Sequence, residues 1–139
     1  MSILLHKNAR VDLFGNAVIP AGTTVIGRMA FHKCERLRRV QIPGTVERIE
    51  ERAFAGCENL RSILLDEGVQ SIEDLAFSGR DLHEIILPDS VRQVSRAAFN
   101  LCEGLTKPVY NRSGTVLYAY PRNVEAVSYT HLTLPTNSL

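Results

Sequence analysis

The dipeptide Ala-Phe occurs at Ala30-Phe31, Ala53-Phe54, Ala76-Phe77 and Ala98-Phe99, so its Phe advances in steps of 23, 23 and 22 residues. A period of this length means that the chain is built from copies of one small unit, each touching only its neighbours. Other positions keep the same step. Five residues before each Phe stands Ile26, Ile49, Ile72 or Val94, and three after it Cys34, Cys57, Arg80 or Cys102. Leu37, Leu60, Leu82 and Leu105 follow, then Val40, Ile63 and Ile85, then Ile42, Leu65 and Leu87. The one-residue shortening therefore falls between Phe77 and Leu82.

Counted from the Leu position, the units run 14–36, 37–59, 60–81 and 82–104, with a partial fifth at 105–110 and a partial or degenerate segment at 1–13. Phe14, Ala17 and Ile19 occupy in the first unit the places of Leu37, Val40 and Ile42 in the second. Within a unit, Leu-x-x-Ile-x-Leu ends in period-two alternation and is closed by Pro20, Pro43, Asp66 or Pro88, the pattern of a short strand and a turn. A second apolar pair follows (Val46 and Ile49, Val69 and Ile72), and then the Ala-Phe-x-x-Cys stretch, whose spacing fits one helical or 3₁₀ turn. A single unit has nothing to bury these positions against. Stacking on its copies solves that, with Phe over Phe, Leu over Leu and strands paired in parallel about 4.8 Å apart.

The run Ile-Pro-x-x-Val-x-x-Ile-x-x-x-Ala-Phe-x-x-Cys-x-x-Leu-x-x-Ile, nearly whole from Ile42 through Ile63, resembles the BspA-type leucine-rich repeat. The resemblance covers about residues 14 to 110. It implies a leucine-rich repeat solenoid: a right-handed superhelix of short parallel β-strands, with a parallel sheet on one face and short helical or 3₁₀ turns. It also implies a piece of a longer array, at the cell surface or secreted, that binds host proteins, matrix or other cells. Residues 109–121 resemble the hairpin that interrupts such arrays, with its turn at Asn111 to Gly114 and its continuation through 111–126. The stretch Val127 to Asn137 resembles translated sequencing-adapter read-through, so 127–139 is read as a non-native tail and the chain as a fragment.

Composition narrows the function classes. A net charge of +1 over 139 residues lacks the basic excess of a dedicated nucleic-acid binder. No apolar run approaches the roughly 20 residues that cross a bilayer, and His6 and Lys7 break the only short apolar run near the start, so neither membrane insertion nor a signal peptide is expected in this chain. Cys34, Cys57 and Cys102 share one repeat position and would point in parallel, as small buried hydrophobes rather than as metal ligands or a disulfide. The histidines at 6, 32, 83 and 131 share no repeat phase, and no phosphate-binding glycine loop is present, so no catalytic residue, cofactor or metal is expected. Glu35, Glu58 and Glu103 lie three residues before Arg38, Arg61 and Thr106, a spacing that predicts an acidic column satisfying a basic one at the surface. Asn111-Arg112-Ser113 fits the N-glycosylation pattern, although turn chemistry also explains Asn there.

What remains is the outward face of the parallel sheet. Alternation assigns to it Arg39 and Gln41, Ser62 and Leu64, Glu84 and Ile86, and Lys107 and Val109, with Leu64, Ile86 and Val109 forming an apolar stripe. Apolar patches rimmed by polar groups mark partner sites. The expected function is a non-enzymatic module that binds a protein or glycan through Arg39, Gln41, Ser62, Leu64, Glu84 and Ile86, within a larger surface or adhesion-type protein. The alternative is a spacer array with no ligand of its own.

Overall fold

The computed structural model describes residues 2–119. The hairpin continuation beyond 119 and the tail read at 127–139 lie outside the described residues. In chain order the strands are β1 (Ile3–Leu4), β2 (Arg10–Val11), β3 (Ala17–Val18), β4 (Val25–Ile26), β5 (Arg39–Ile42) and β6 (Arg48–Ile49). They continue with β7 (Ser62–Leu65), β8 (Ser71–Ile72), β9 (Ile86–Leu87), β10 (Gln93–Val94), β11 (Val109–Asn111) and β12 (Leu117–Ala119).

The second apolar pair of each unit builds the longest ladder. β1, β4, β6, β8 and β10 pair in parallel, with Leu4, Ile26, Ile49, Ile72 and Val94 in one register column. Ile3 and Leu4 thus belong to a partial unit stacked on the first full one. The Leu-x-x-Ile-x-Leu strands form a second parallel ladder in two stretches. β5 pairs with β7 over Arg39↔Ser62 to Ile42↔Leu65, and β9 pairs with β11, which turns back antiparallel onto β12.

Between the ladders runs the core. Leu37, Leu60, Leu82 and Leu105 are buried in one column, and Val46, Val69 and Val91 in another. Phe31, Phe54 and Phe77 are 1% exposed or less, with Phe99 half-buried at the end of the row. Their rings stack at 5.2, 5.6 and 6.0 Å between centroids and within 12° of parallel. Beside them Ala30, Ala53, Ala76 and Ala98 are fully buried, the small residues that let successive turns approach.

The Ala-Phe stretch makes single 3₁₀-type turns that do not join into a helix, and its hydrogen bonding explains why. Ala30, His32 and Cys34 donate their N–H groups back to the carbonyls of Gly27, Met29 and Phe31. The alternate residues Met29, Phe31 and Lys33 instead donate across to Glu51, Ala53 and Ala55 of the next unit, at 3.1, 2.6 and 2.7 Å. A helix would need every N–H for itself. Keeping this alternation places Met29, Lys33, Arg52 and Leu75 in the left-handed region at φ +55 to +56°, a conformation costly for a side-chain-bearing residue that persists because its neighbours over-determine it.

Two positions depart from the sequence-based register. Phe14, aligned with Leu37, is 76% exposed. The Asp12 carboxylate accepts the N–H groups of Phe14 (2.8 Å) and Asn16 (2.9 Å), closing a tight turn between β2 and β3 that puts Leu13 and Phe14 outside. Val109, expected on the outer face, is buried in the core. Tyr110 pairs with Ile86 and Asn111 with Leu87, so Val109 takes the inward place of Ile85. Val109 stands four positions after Leu105, where Ile85 stands three after Leu82. The extra residue is accommodated at Lys107-Pro108, where proline offers no N–H to hold the ladder in step.

Candidate binding face

The outer residues of the second ladder form two rows. Arg39 faces Ser62 across β5 and β7, with Glu84 next in repeat phase, and Gln41 faces Leu64, with Ile86 and then Tyr110 following. Their inward neighbours Val40, Ile42, Ile63, Leu65, Ile85 and Leu87 are all buried, so strand alternation delivers these side chains to solvent. Leu64 is 60% and Ile86 47% exposed. Ser62, Leu64, Glu84 and Ile86 line one shallow groove of about 420 Å³, together with Arg61 and Arg112. Arg39 and Gln41 extend the same two rows one strand further. The apolar stripe ends on half-buried Tyr110 rather than on Val109; Pro108 was the one sequence signal that could have revealed the shift.

Arg112 was also not foreseen. It reaches from the β11–β12 turn to Glu67 Oε1 (3.0 Å) and the Leu65 carbonyl (2.8 Å). Glu67 in turn accepts the N–H groups of Asp89 and Ser90, and Asp89 accepts both the N–H and the hydroxyl of Ser113. Those bonds from Ser113 hold the Asp89 carboxyl below the usual carboxylate range. The hairpin is thus fastened over two repeat turns at one edge of the groove.

Of the charge ladder expected beside the cysteines, Glu35, Glu58, Arg38 and Arg61 join none of the ion pairs below. The ion pairs include Arg28–Glu51, Arg48–Glu50, Arg48–Glu73, Arg52–Glu51, Lys107–Glu84 and Arg112–Glu67. Arg28–Glu51 and Lys107–Glu84 join the same repeat position of successive units, Arg48–Glu73 joins successive units out of phase, Arg48–Glu50 and Arg52–Glu51 lie within one unit, and Arg112–Glu67 spans two.

Cys57 and Cys102 are buried and all three cysteines are free thiols. Cys57 Sγ donates to the Phe31 carbonyl (2.9 Å) and Cys102 Sγ to the Phe77 carbonyl (3.3 Å), each in the preceding unit. Burial pushes both thiols up to about 12, so they are protonated donors at neutral pH. The shortened unit has no Cys, and Ser78 takes over. Its hydroxyl donates to the Phe54 carbonyl (3.2 Å) and accepts the Gly56 N–H (2.7 Å).

Asn111, in the glycosylation pattern, is 6% exposed. Its amide donates to Thr115 Oγ1 and its Oδ1 accepts the N–H groups of Thr115 and Val116, a closed use that leaves Nδ2 inside the turn. His6 Nδ1 lies 3.3 Å from the Ala30 carbonyl and His83 Nδ1 2.8 Å from that of Gly104; His131 lies outside the described residues. Among the described residues no group of three or more His, Cys, Asp or Glu is arranged to hold a metal ion, and no helix is long and apolar enough to cross a membrane.

Parallel strands stacked in register over columns of Leu, Ile and Phe define a leucine-rich repeat solenoid. The chain belongs to the BspA-type leucine-rich repeat family, whose model matches six copies over residues 12–121. It is similar to the crystal structure of a leucine-rich repeat protein from Bacteroides capillosus, at 29% identity and TM-score 0.59, covering 80% of this chain and 75% of that one. It is also similar to the pneumococcal vaccine antigen PcpA, at 25% identity and TM-score 0.60, covering 73% of this chain and 25% of that one. A leucine-rich cell surface protein from Faecalibacterium prausnitzii shares the fold at 22% identity and TM-score 0.58, with 74% of this chain and 38% of that one covered. The chain thus spans a quarter to three quarters of the length of these relatives. No curated protein matches it in sequence.

Proposed function

We infer that this chain is a non-enzymatic interaction module, part of a longer protein displayed at or released from a bacterial surface, and that it binds a protein or glycan through the outer face of β5, β7 and β9. The observation that carries the reading is the pair Leu64 and Ile86, large aliphatic side chains exposed side by side in a groove edged by arginine and glutamate. Exposed apolar surface rimmed by polar groups is retained where a partner covers it, and solenoids bind through such extended faces. The surface setting is supported by the cell-surface and antigen descriptions of structural relatives.

The test is a double variant, Leu64→Glu with Ile86→Glu, compared with the native chain on a glycan array and against a displayed peptide library. Both side chains are outside the core, so the variant keeps the native circular dichroism and melting temperature. Binding weakens at least tenfold if this face is the site. Unchanged binding by a folded double variant rejects it, and an absence of binding by the native chain in both screens favours the spacer reading.

A further inference from the structure

The charges around the groove are not equally committed. Glu84 is paired with Lys107 at 3.3 Å, Arg112 with Glu67 at 3.0 Å, and Asp66 Oδ1 receives the Gln41 amide at 3.5 Å. Arg61, which lines the groove beside Ser62 and Leu64, enters no ion pair among the described residues. Neither does Arg39, which stands across from Ser62 at the start of β5. Both are exposed. The polar trough over the other ladder holds both kinds, since Arg92 there also enters no ion pair among the described residues. There Arg48 already reaches Glu50 and Glu73, at 3.3 and 3.8 Å. The outer face of β5, β7 and β9 presents an aliphatic centre, Leu64 and Ile86, with the unpaired Arg39 and Arg61 at the N-terminal ends of β5 and β7, Glu84 neutralised by Lys107 before β9, and Asp66, Glu67 and Asp89 beyond the C-terminal ends.

We propose that the occupant of this face is an extended protein segment carrying one or more carboxylates beside an aliphatic side chain, the carboxylates meeting Arg39 and Arg61 and the aliphatic group covering Leu64 and Ile86. This rests on the reading of the face as a binding site and adds the chemistry of its partner. Two features favour a protein over a sugar. The centre is aliphatic, whereas a sugar ring packs best on an aromatic face. Arginine presents a planar fork that meets a carboxylate with two parallel hydrogen bonds. The one-sided charge also fixes which way the segment lies, because reversing it would bring its acids against Asp66, Glu67 and Asp89.

The experiment is selection of linear twelve-residue peptides from a random displayed library on the immobilised 139-residue chain, followed by titration of synthetic winners against variants. The winners are expected to carry Asp or Glu next to Leu, Ile or Val. Their affinity is expected to fall at least tenfold in Arg39→Glu with Arg61→Glu, to fall with rising salt, and to recover when the peptide acids are changed to lysine. Winners without acidic enrichment, or acidic winners indifferent to the arginine variant, overturn the proposal. If such winners still lose affinity in Leu64→Glu with Ile86→Glu, the binding face stands while its proposed partner chemistry fails. Retention on immobilised heparin that depends on Arg39 and Arg61, with no peptide selected, overturns it in favour of a sulfated glycan.

Discussion

At the scale of single residues, stability resides in columns whose members each serve two units. Phe54 is fully buried and stacks on Phe31 and Phe77 at once. Phe54→Ala is expected to cost about 3–5 kcal/mol, the usual range for emptying a large aromatic site, measured by urea denaturation. Ser78 shows how strict the hydrogen-bond accounting is. Ser78→Ala would leave the Phe54 carbonyl and the Gly56 N–H unpartnered, which is expected to cost about 1–3 kcal/mol. The thiols give a chemical readout of the same column. With Cys57 and Cys102 held protonated up to about 12 by burial and Cys34 only half-buried, a disulfide-exchange reagent at pH 8 should titrate one thiol quickly in the native chain. All three should react once it is unfolded.

Among elements, the β11–β12 hairpin is the one whose attachment depends on charge. Asp89 is ionised and accepts two bonds from Ser113, so its folded-state pKa is depressed. A depressed carboxylate contributes its stabilisation fully above the unfolded value of about 3.9 and loses it as the pH falls through the folded value. The Ser113 amide resonance, followed by NMR from pH 6 down to 2, should therefore hold steady to about pH 4 and shift only below it. In Asp89→Asn it should show no such step. Close approach of neighbouring turns is the other constraint at this scale. A Cβ added at Gly104 would fall 1.9 Å from the Arg80 carbonyl oxygen, which is backbone and cannot swing aside. Gly104→Ala is expected to destabilise by about 1–3 kcal/mol, as overpacking does, and urea denaturation again measures it.

For the molecule as a whole, each turn is held mainly by the turns on either side, so position along the stack sets the effect of a substitution. Phe99 stacks on Phe77 alone and is half-buried. Phe99→Ala is therefore expected to cost less than Phe54→Ala. Cutting the middle of the stack should also broaden the unfolding transition more than trimming its end, since the two sides then melt with less coupling. Matched thermal denaturation of the two variants decides both points. β1 continues one ladder with a two-residue strand, and β12 folds back over the other.

The periodic part of this architecture was legible from residues alone. Recurrence of Ala-Phe, Cys, Leu and Ile in phase dictates stacking, because one unit cannot bury those side chains and a row of copies can. The same alternation placed Arg39, Gln41, Ser62, Leu64, Glu84 and Ile86 on one outer face. Where a residue's environment comes from the adjoining turn, the sequence was silent. Left-handed Met29, Arg52 and Leu75 follow from hydrogen bonds donated to the next unit, Ser78 replaces a cysteine because the shortened unit must still satisfy Phe54, and Arg112 finds Glu67 from 45 residues away. Val109 was misplaced for the same reason: a one-residue slip at Lys107-Pro108 turns an outward side chain inward, and only pairing with β9 decides which residues absorb it. Repetition determined the fold, while tertiary contacts decided its exceptions, because a repeat pattern records what the copies share and not how one copy meets the next.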